Sequence, residues 1–213
     1  TQGGGDTVVA IAAGPENAGE NSIPFSAAFF PYDSNDDGTN EWIGGSYNSA
    51  GAAVTGTGDG LTVTGSGGRY EAEVDGVTDA FQEGFLFGMG GDNEDNYTRT
   101  RPTEDGKWLV QHRDNAAEIG GAEGDDFNLF YIPRSTQGLI GGVVDGSFSG
   151  GESPMIQSFG DFTVSREADG LFRVSVPGQD ITSGVMIMEN YDLTADLPRN
   201  TYFSYDDAGD GSG

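Results

Sequence analysis

The chain has 213 residues, with 35 Asp and Glu against 9 Lys and Arg, a formal charge of −26, 37 glycines and no cysteine. A field of that sign repels nucleic acid and anionic membranes, and the missing cysteines exclude disulfides and thiolate metal sites. No run reaches the length of a membrane span, and the first residues lack the charged-then-apolar pattern of a signal peptide. Short alternating segments rich in Val, Ile, Phe and Tyr follow one another between clusters of Gly, Asp and Asn. They run Val8–Ala12, Phe25–Phe30, Leu61–Thr64, Arg69–Val74, Phe85–Phe87, Tyr97–Arg101, Lys107–Gln111, Phe127–Ile132, Phe162–Ser165, Leu171–Val176, Val185–Met188 and Tyr202–Tyr205. No stretch carries the 3.6-residue period over the dozen or so residues a stable helix needs. The expectation is an all-β chain of antiparallel sandwiches, jelly-roll-like in the spacing of their turns. Strong acidity is often a mark of disorder, but here the apolar and aromatic residues are patterned as strands.

The chain is also written twice. Phe25-Ser-Ala-Ala-Phe-Phe-Pro31 aligns with Phe127-Asn-Leu-Phe-Tyr-Ile-Pro133 at an offset of 102. Ile43-Gly-Gly matches Ile140-Gly-Gly, Leu61-Thr-Val matches Phe162-Thr-Val, and Gly68-Arg-Tyr-Glu-Ala-Glu-Val74 matches Gly170-Leu-Phe-Arg-Val-Ser-Val176. Tyr97-Thr-Arg-Thr matches Tyr202-Phe-Ser-Tyr, and the stretch leading into Val8 matches the stretch leading into Val110. A period of this length is a domain rather than a solenoid turn. Asp105-Gly106 between two strand-like segments is a hairpin signal, so Tyr97–Arg101 and Lys107–Gln111 are expected side by side. The point at which the sequence starts and stops its repeat therefore falls inside a hairpin. The parse that follows has a complete sandwich over residues 43–134 and an incomplete one over residues 140–213. Residues 1–31 hold the strands the second lacks, with a linker at 32–42.

An incomplete sandwich leaves an apolar groove and an open edge that something must fill. Three sources are open: residues 1–31 of a neighbouring copy, the same chain's own residues 1–31, or a longer array of such units. The intermolecular or array readings are preferred because tandem units joined by short linkers run end to end. Val8, Ala10, Phe25, Phe29, Tyr202 and Tyr205 are the expected interface residues, and the partner is another copy of the chain.

Asp33-Ser-Asn35-Asp-Asp37-Gly38-Thr39-Asn-Glu41 supplies oxygen ligands at alternating positions, with glycine at the sixth for a tight turn. Asp33, Asn35, Asp37, Thr39 and Glu41 are thus candidate Ca2+ ligands, against the alternative of a solvated acidic turn. The loop is similar to those of EF-hands, dockerins and thrombospondin type 3 repeats. Its twelfth position is Gly44 rather than Glu, and no helix flanks it. It occupies the linker, where Arg134-Ser-Thr-Gln-Gly138 stands in the second copy. A calcium ion there would stiffen an interdomain joint.

Signals for catalysis are absent. Gly146-Ser-Phe-Ser-Gly150 places Phe148 where a nucleophile elbow needs serine, and His112 is the one histidine. His112 is expected at the surface. Trp42 and Trp108, with Tyr32, Tyr47 and Tyr70, could stack a sugar, although aromatics in sandwiches are more often core. Trp108 aligns with Asp6, which suggests exposure or an interface rather than a core role.

The strand–Asp-Gly–strand unit at Asp105-Gly106, the Phe127–Pro133 strand and the loop at Asp33 resemble the acidic tandem β-sandwich repeats of large secreted prokaryotic surface proteins and adhesins. That resemblance implies an extracellular structural or adhesive protein, not an enzyme. The leading expectation is a filament, sheath or surface-array subunit joined by strand exchange and calcium. The alternative is an adhesin or carbohydrate-binding module with a surface glycan as ligand.

Overall fold

A computed structural model of the chain describes residues 43–54, 60–91, 96–113, 124–144, 151–152, 155–168, 171–179 and 184–189. The segments 1–31 and 32–42, and with them Val8, Ala10, Phe25, Phe29 and the loop ligands Asp33, Asn35, Asp37, Thr39 and Glu41, lie outside the described residues, as do Tyr202 and Tyr205. The fold is all-β and antiparallel.

In the first half the strands are β1 (Ile43–Tyr47), β2 (Leu61–Ser66), β3 (Arg69–Val74), β4 (Gly84–Gly90), β5 (Tyr97–Pro102), β6 (Lys107–Arg113) and β7 (Phe127–Pro133), with one helical turn, α1 (Ala80–Glu83). Two sheets form, in the orders β1-β7-β4 and β2-β3-β6-β5. The expected hairpin closes as the Asp-Gly signal requires: Tyr97 lies opposite Arg113 and Pro102 opposite Trp108. Gly106 in its turn has φ +80°, and a Cβ there would meet the Thr78 carbonyl carbon at 2.8 Å. Both the left-handed conformation and the contact call for glycine.

Alternation decides which face each strand buries. On β6 the odd set Lys107, Leu109, Gln111 looks outward, while Trp108, Val110 and His112 look in. Tyr70, Ala72 and Val74 do the same on β3, and Phe127, Leu129 and Tyr131 on β7. These side chains meet between the sheets with Tyr47, Leu61 and Leu86, forming one sandwich core. Phe127 stands at its centre, stacked on Tyr47 at 5.6 Å, against Tyr70 at 4.6 Å and against His112 at 5.9 Å. Trp108 meets Tyr131 edge-on at 5.5 Å. Burying each large side chain here stabilises the sandwich by about 1.5–3 kcal/mol.

The turn α1 is held by a capping box. The Asp79 carboxylate accepts the N–H of Phe81 at 3.0 Å, and the Glu83 carboxylate reaches back to accept the N–H of Thr78 and of Asp79 at 2.8 and 2.7 Å. Those backbone donors, Thr78 first, hold the Glu83 carboxyl below its usual range.

The second half contributes β8 (Gly141–Val144), β9 (Gly151–Glu152), β10 (Met155–Phe159), β11 (Thr163–Ala168) and β12 (Leu171–Ser175). β8 pairs with β10, and a separate sheet has the order β12-β11-β9. Phe159 at the end of β10 packs on Phe85 of β4 with ring centres 4.9 Å apart, and the Arg134 guanidinium lies over the Phe159 ring at 4.7 Å. Residues 185–188, expected as a strand, join no sheet among the described residues. Glu189, at the end of this segment, accepts hydrogen bonds from the backbone of Gly88 and Thr100.

Candidate functional site

Two places in the fold stand out: the seam where the two sheets of the first sandwich meet edge to edge, and the outer edge of β12. At the seam, β4 and β5 are the end strands of their sheets. The Thr100 hydroxyl donates to the Leu86 carbonyl across the gap. A Cβ on Gly88 would lie 2.6 Å from Thr98 Cγ2, so the two strands approach as closely as they do because residue 88 has no side chain.

Glu189 reaches this seam from the far end of the chain. Its Oε2 accepts the Gly88 N–H at 3.1 Å and its Oε1 accepts the Thr100 N–H. One carboxyl group therefore satisfies an edge donor from each sheet, a role that a missing strand would otherwise fill. The residue keeps some exposed surface, but its carboxyl is enclosed. Burial pushes that carboxyl up to about 8, against the two backbone donors and the Arg99 guanidinium, which favour the charged form. Desolvation outweighs them because the group gives up water on all sides for two N–H donors.

Next to the seam lies a buried polar group of residues. Thr98 Oγ1 and His112 Nδ1 share a hydrogen bond at 2.8 Å, and His112 is 0 % exposed. The expectation of a surface histidine is thus corrected: His112 shares the inward phase of Trp108 and Val110 on β6, and its ring stacks on Phe127. On the outward face of the same sheet, Arg69, Gln111 and Arg99 lie opposite one another across β3, β6 and β5. Gln111 Oε1 accepts from Arg99 at 3.0 Å and from Arg113 at 3.3 Å. With Arg101 and Lys107 the face carries five of the nine basic residues of the chain. Lys107 bridges Glu73 at 2.6 Å, and the Glu73 carboxylate raises its pKa.

The sugar-stacking platform is corrected for the three aromatics that can be placed. Trp108 is 1 % exposed, and Tyr47 and Tyr70 are equally enclosed, so none presents a face to a ligand. Trp108 is a core residue although its repeat partner is Asp6: it shares the inward phase of Val110 on β6 and meets the Tyr131 ring edge-on. Trp42 and Tyr32 lie outside the described residues. Among the described residues no cluster of three or more His, Asp or Glu is placed to hold a metal ion. No helix among them is long and apolar enough to cross a membrane.

At the second place, β12 pairs with β11 on one side. In the first half its counterpart in the repeat, β3, has β2 on one side and β6 on the other. Val63 lies opposite Ala72 in the first pair, and Val164 lies opposite Val174 in the second. By this equivalence Phe172 stands for Tyr70 and Val174 for Ala72. Tyr70 is 3 % exposed and Ala72 0 %, while Phe172 and Val174 are each 37 % exposed. Leu171, Ile156, Val185 and Ile187 are exposed as well, so the second half carries most of the uncovered apolar side chains among the described residues.

Comparison with known protein families, curated proteins and solved structures returns no match to this chain.

Proposed function

We propose that this protein is an extracellular structural subunit of a filament, sheath or surface array. Its units join head to tail by β-strand complementation, and calcium in the linker stiffens the joint. The observation that carries this reading is the contrast between Tyr70 and Ala72, enclosed by β6 and β7, and Phe172 and Val174, which hold the same positions and stay open. An apolar sheet face left in this state drives association. The sequence supplies strands of the type that encloses β3, because residues 1–31 repeat the stretch that forms β6 and β7. Calcium enters through the spacing of Asp33, Asn35, Asp37, Thr39 and Glu41, and the extracellular assignment through the charge, which needs a cation-rich medium to screen it.

Electron microscopy of the purified chain, with millimolar calcium and with a chelator, tests the assembly. Long particles in calcium that shorten in chelator are expected. Dispersed single chains under both conditions, at every concentration tried, would sink the reading.

A further inference from the structure

We infer that the seam between β4 and β5 is a binding notch for one carboxyl group and that Glu189 is its tethered occupant. The side chain latches residues 184–189 onto the first sandwich, and a free carboxylic acid can take its place. The site lies within one chain and stands apart from the assembly reading above.

The notch is built without Glu189. The Thr100 hydroxyl donates to the Leu86 carbonyl, and the bare Gly88 backbone lets Thr98 close in, so β4 and β5 are held together by their own contacts. The N–H groups of Gly88 and Thr100, one from each sheet, are thereby set side by side. One acceptor atom for each donor is what a carboxyl group supplies. With the notch empty, two backbone donors at an enclosed place would go unpaired, which is strongly disfavoured.

The notch prefers the acid to its anion. The Thr100 hydroxyl is also hydrogen-bonded to the carboxyl. Its own proton is committed to Leu86, so its oxygen is left to accept, and the O–H of a protonated carboxyl is the donor that fits. Around the group, β4 and residues 184–188 carry no titratable side chain. On β5 the ionisable residues are Tyr97, Arg99 and Arg101, and His112 on β6 is engaged with Thr98. The Arg99 charge acts on the carboxyl and favours the anion, but burial outweighs it and pushes the group up to about 8. Docking is therefore strongest while the proton stays on. It weakens about tenfold per pH unit from the ordinary glutamate value up to 8 and levels off beyond. Residues 184–189 pair with no strand among the described residues, and Val185 and Ile187 stay 68 % and 43 % exposed. The carboxyl is thus the contact placed to control the segment.

Glu189→Ala keeps Cβ and removes two carbons and two oxygens, the heavy atoms of acetate. The amide NMR signals of Gly88 and Thr100 are followed in this variant as sodium acetate is added, with sodium chloride of equal ionic strength as the control. At pH 5.5 acetate is expected to shift both signals saturably and to raise the urea midpoint. The response is expected to fade at pH 7.5, where the same total acetate holds on the order of 100-fold less acid. Wild-type protein and Glu189→Gln, whose notches are filled, are expected to respond to neither salt. Equal responses of Glu189→Ala to acetate and chloride overturn the notch. Equal acetate responses at the two pH values overturn its preference for the acid. Where Glu189→Ala does not fold, the wild type decides: the two amide signals should share a pH step at about 8 that Glu189→Gln lacks. A step missing from the wild type, or present in both proteins, overturns the latch.

Discussion

The Glu189 carboxyl accepts the backbone N–H of Gly88 across 101 positions of sequence, at 3.1 Å. That hydrogen bond ties a segment of the second half to the edge of the first sandwich, and its strength depends on a proton.

The carboxyl is raised from the ordinary glutamate value to about 8, with burial the main cause. In the folded state Glu189 is neutral at pH 6, while in the unfolded chain it is charged. A group raised in this way contributes stability that is complete below the unfolded value and is lost as pH climbs to the folded one. Between pH 4.5 and 8 the loss is about 1.4 kcal/mol per pH unit, and above 8 it levels off. Glu189→Gln keeps one acceptor and gives up the other, at a cost of about 1 kcal/mol for the second hydrogen bond. It also removes the titration. Urea denaturation of both proteins from pH 5 to 9 is expected to give a difference that shrinks and then reverses with rising pH. A constant difference across that range would falsify the assignment.

Gly88→Ala places a methyl carbon 2.6 Å from Thr98 Cγ2 and forces β4 away from β5. A loss of about 1–3 kcal/mol is expected, as for other overpacked sites. Thr98→Ser removes the Cγ2 atom and keeps the hydroxyl that meets His112. The double variant should recover part of the loss, which a double-mutant cycle by thermal denaturation would read. Strict additivity would place the strain elsewhere.

Trp108→Ala opens a cavity beside Tyr131 and should lower stability by about 3–5 kcal/mol. An exposed ligand-stacking tryptophan would change little. The denaturation midpoint separates the two, and an unchanged midpoint would return Trp108 to the surface.

The paired change Asp33→Ala/Asp37→Ala removes two of the candidate calcium ligands. Isothermal titration of the native chain should show a calcium-binding event that the variant lacks. Identical heats from the two proteins would leave the loop as a solvated turn.

The hairpin of β5 and β6 was legible because two local signals agreed, an Asp-Gly turn and alternation on both arms. β1 and β8 were not, since Ile-Gly-Gly carries little strand propensity and both are held by pairing rather than by composition. The burial of His112 could have been read from its phase with Trp108 and Val110, four and two positions back. For Trp108 the repeat alignment with Asp6 pointed the other way, and packing against Tyr131 overrode it. Glu189 had no local signal at all: its partners lie on β4 and β5, and a lone glutamate after an apolar run does not announce a buried contact so distant in sequence.

The register of β1 bears on how the molecule is made. Ile43 lies opposite Tyr131 and Tyr47 opposite Phe127, so among the described strands β1 finds its ladder partner in β7, more than eighty residues later. The β2–β3 and β5–β6 hairpins can form from local contacts as soon as each emerges from the ribosome, and the longer-range β3–β6 ladder then joins them into one sheet. The other sheet waits for β7, which sits between β1 and β4. Until residue 133 is synthesised and free, the finished sheet exposes its apolar face to the cell. The slow step of folding, and the interval of greatest exposure to chaperones and proteases, is therefore the arrival of a single central strand.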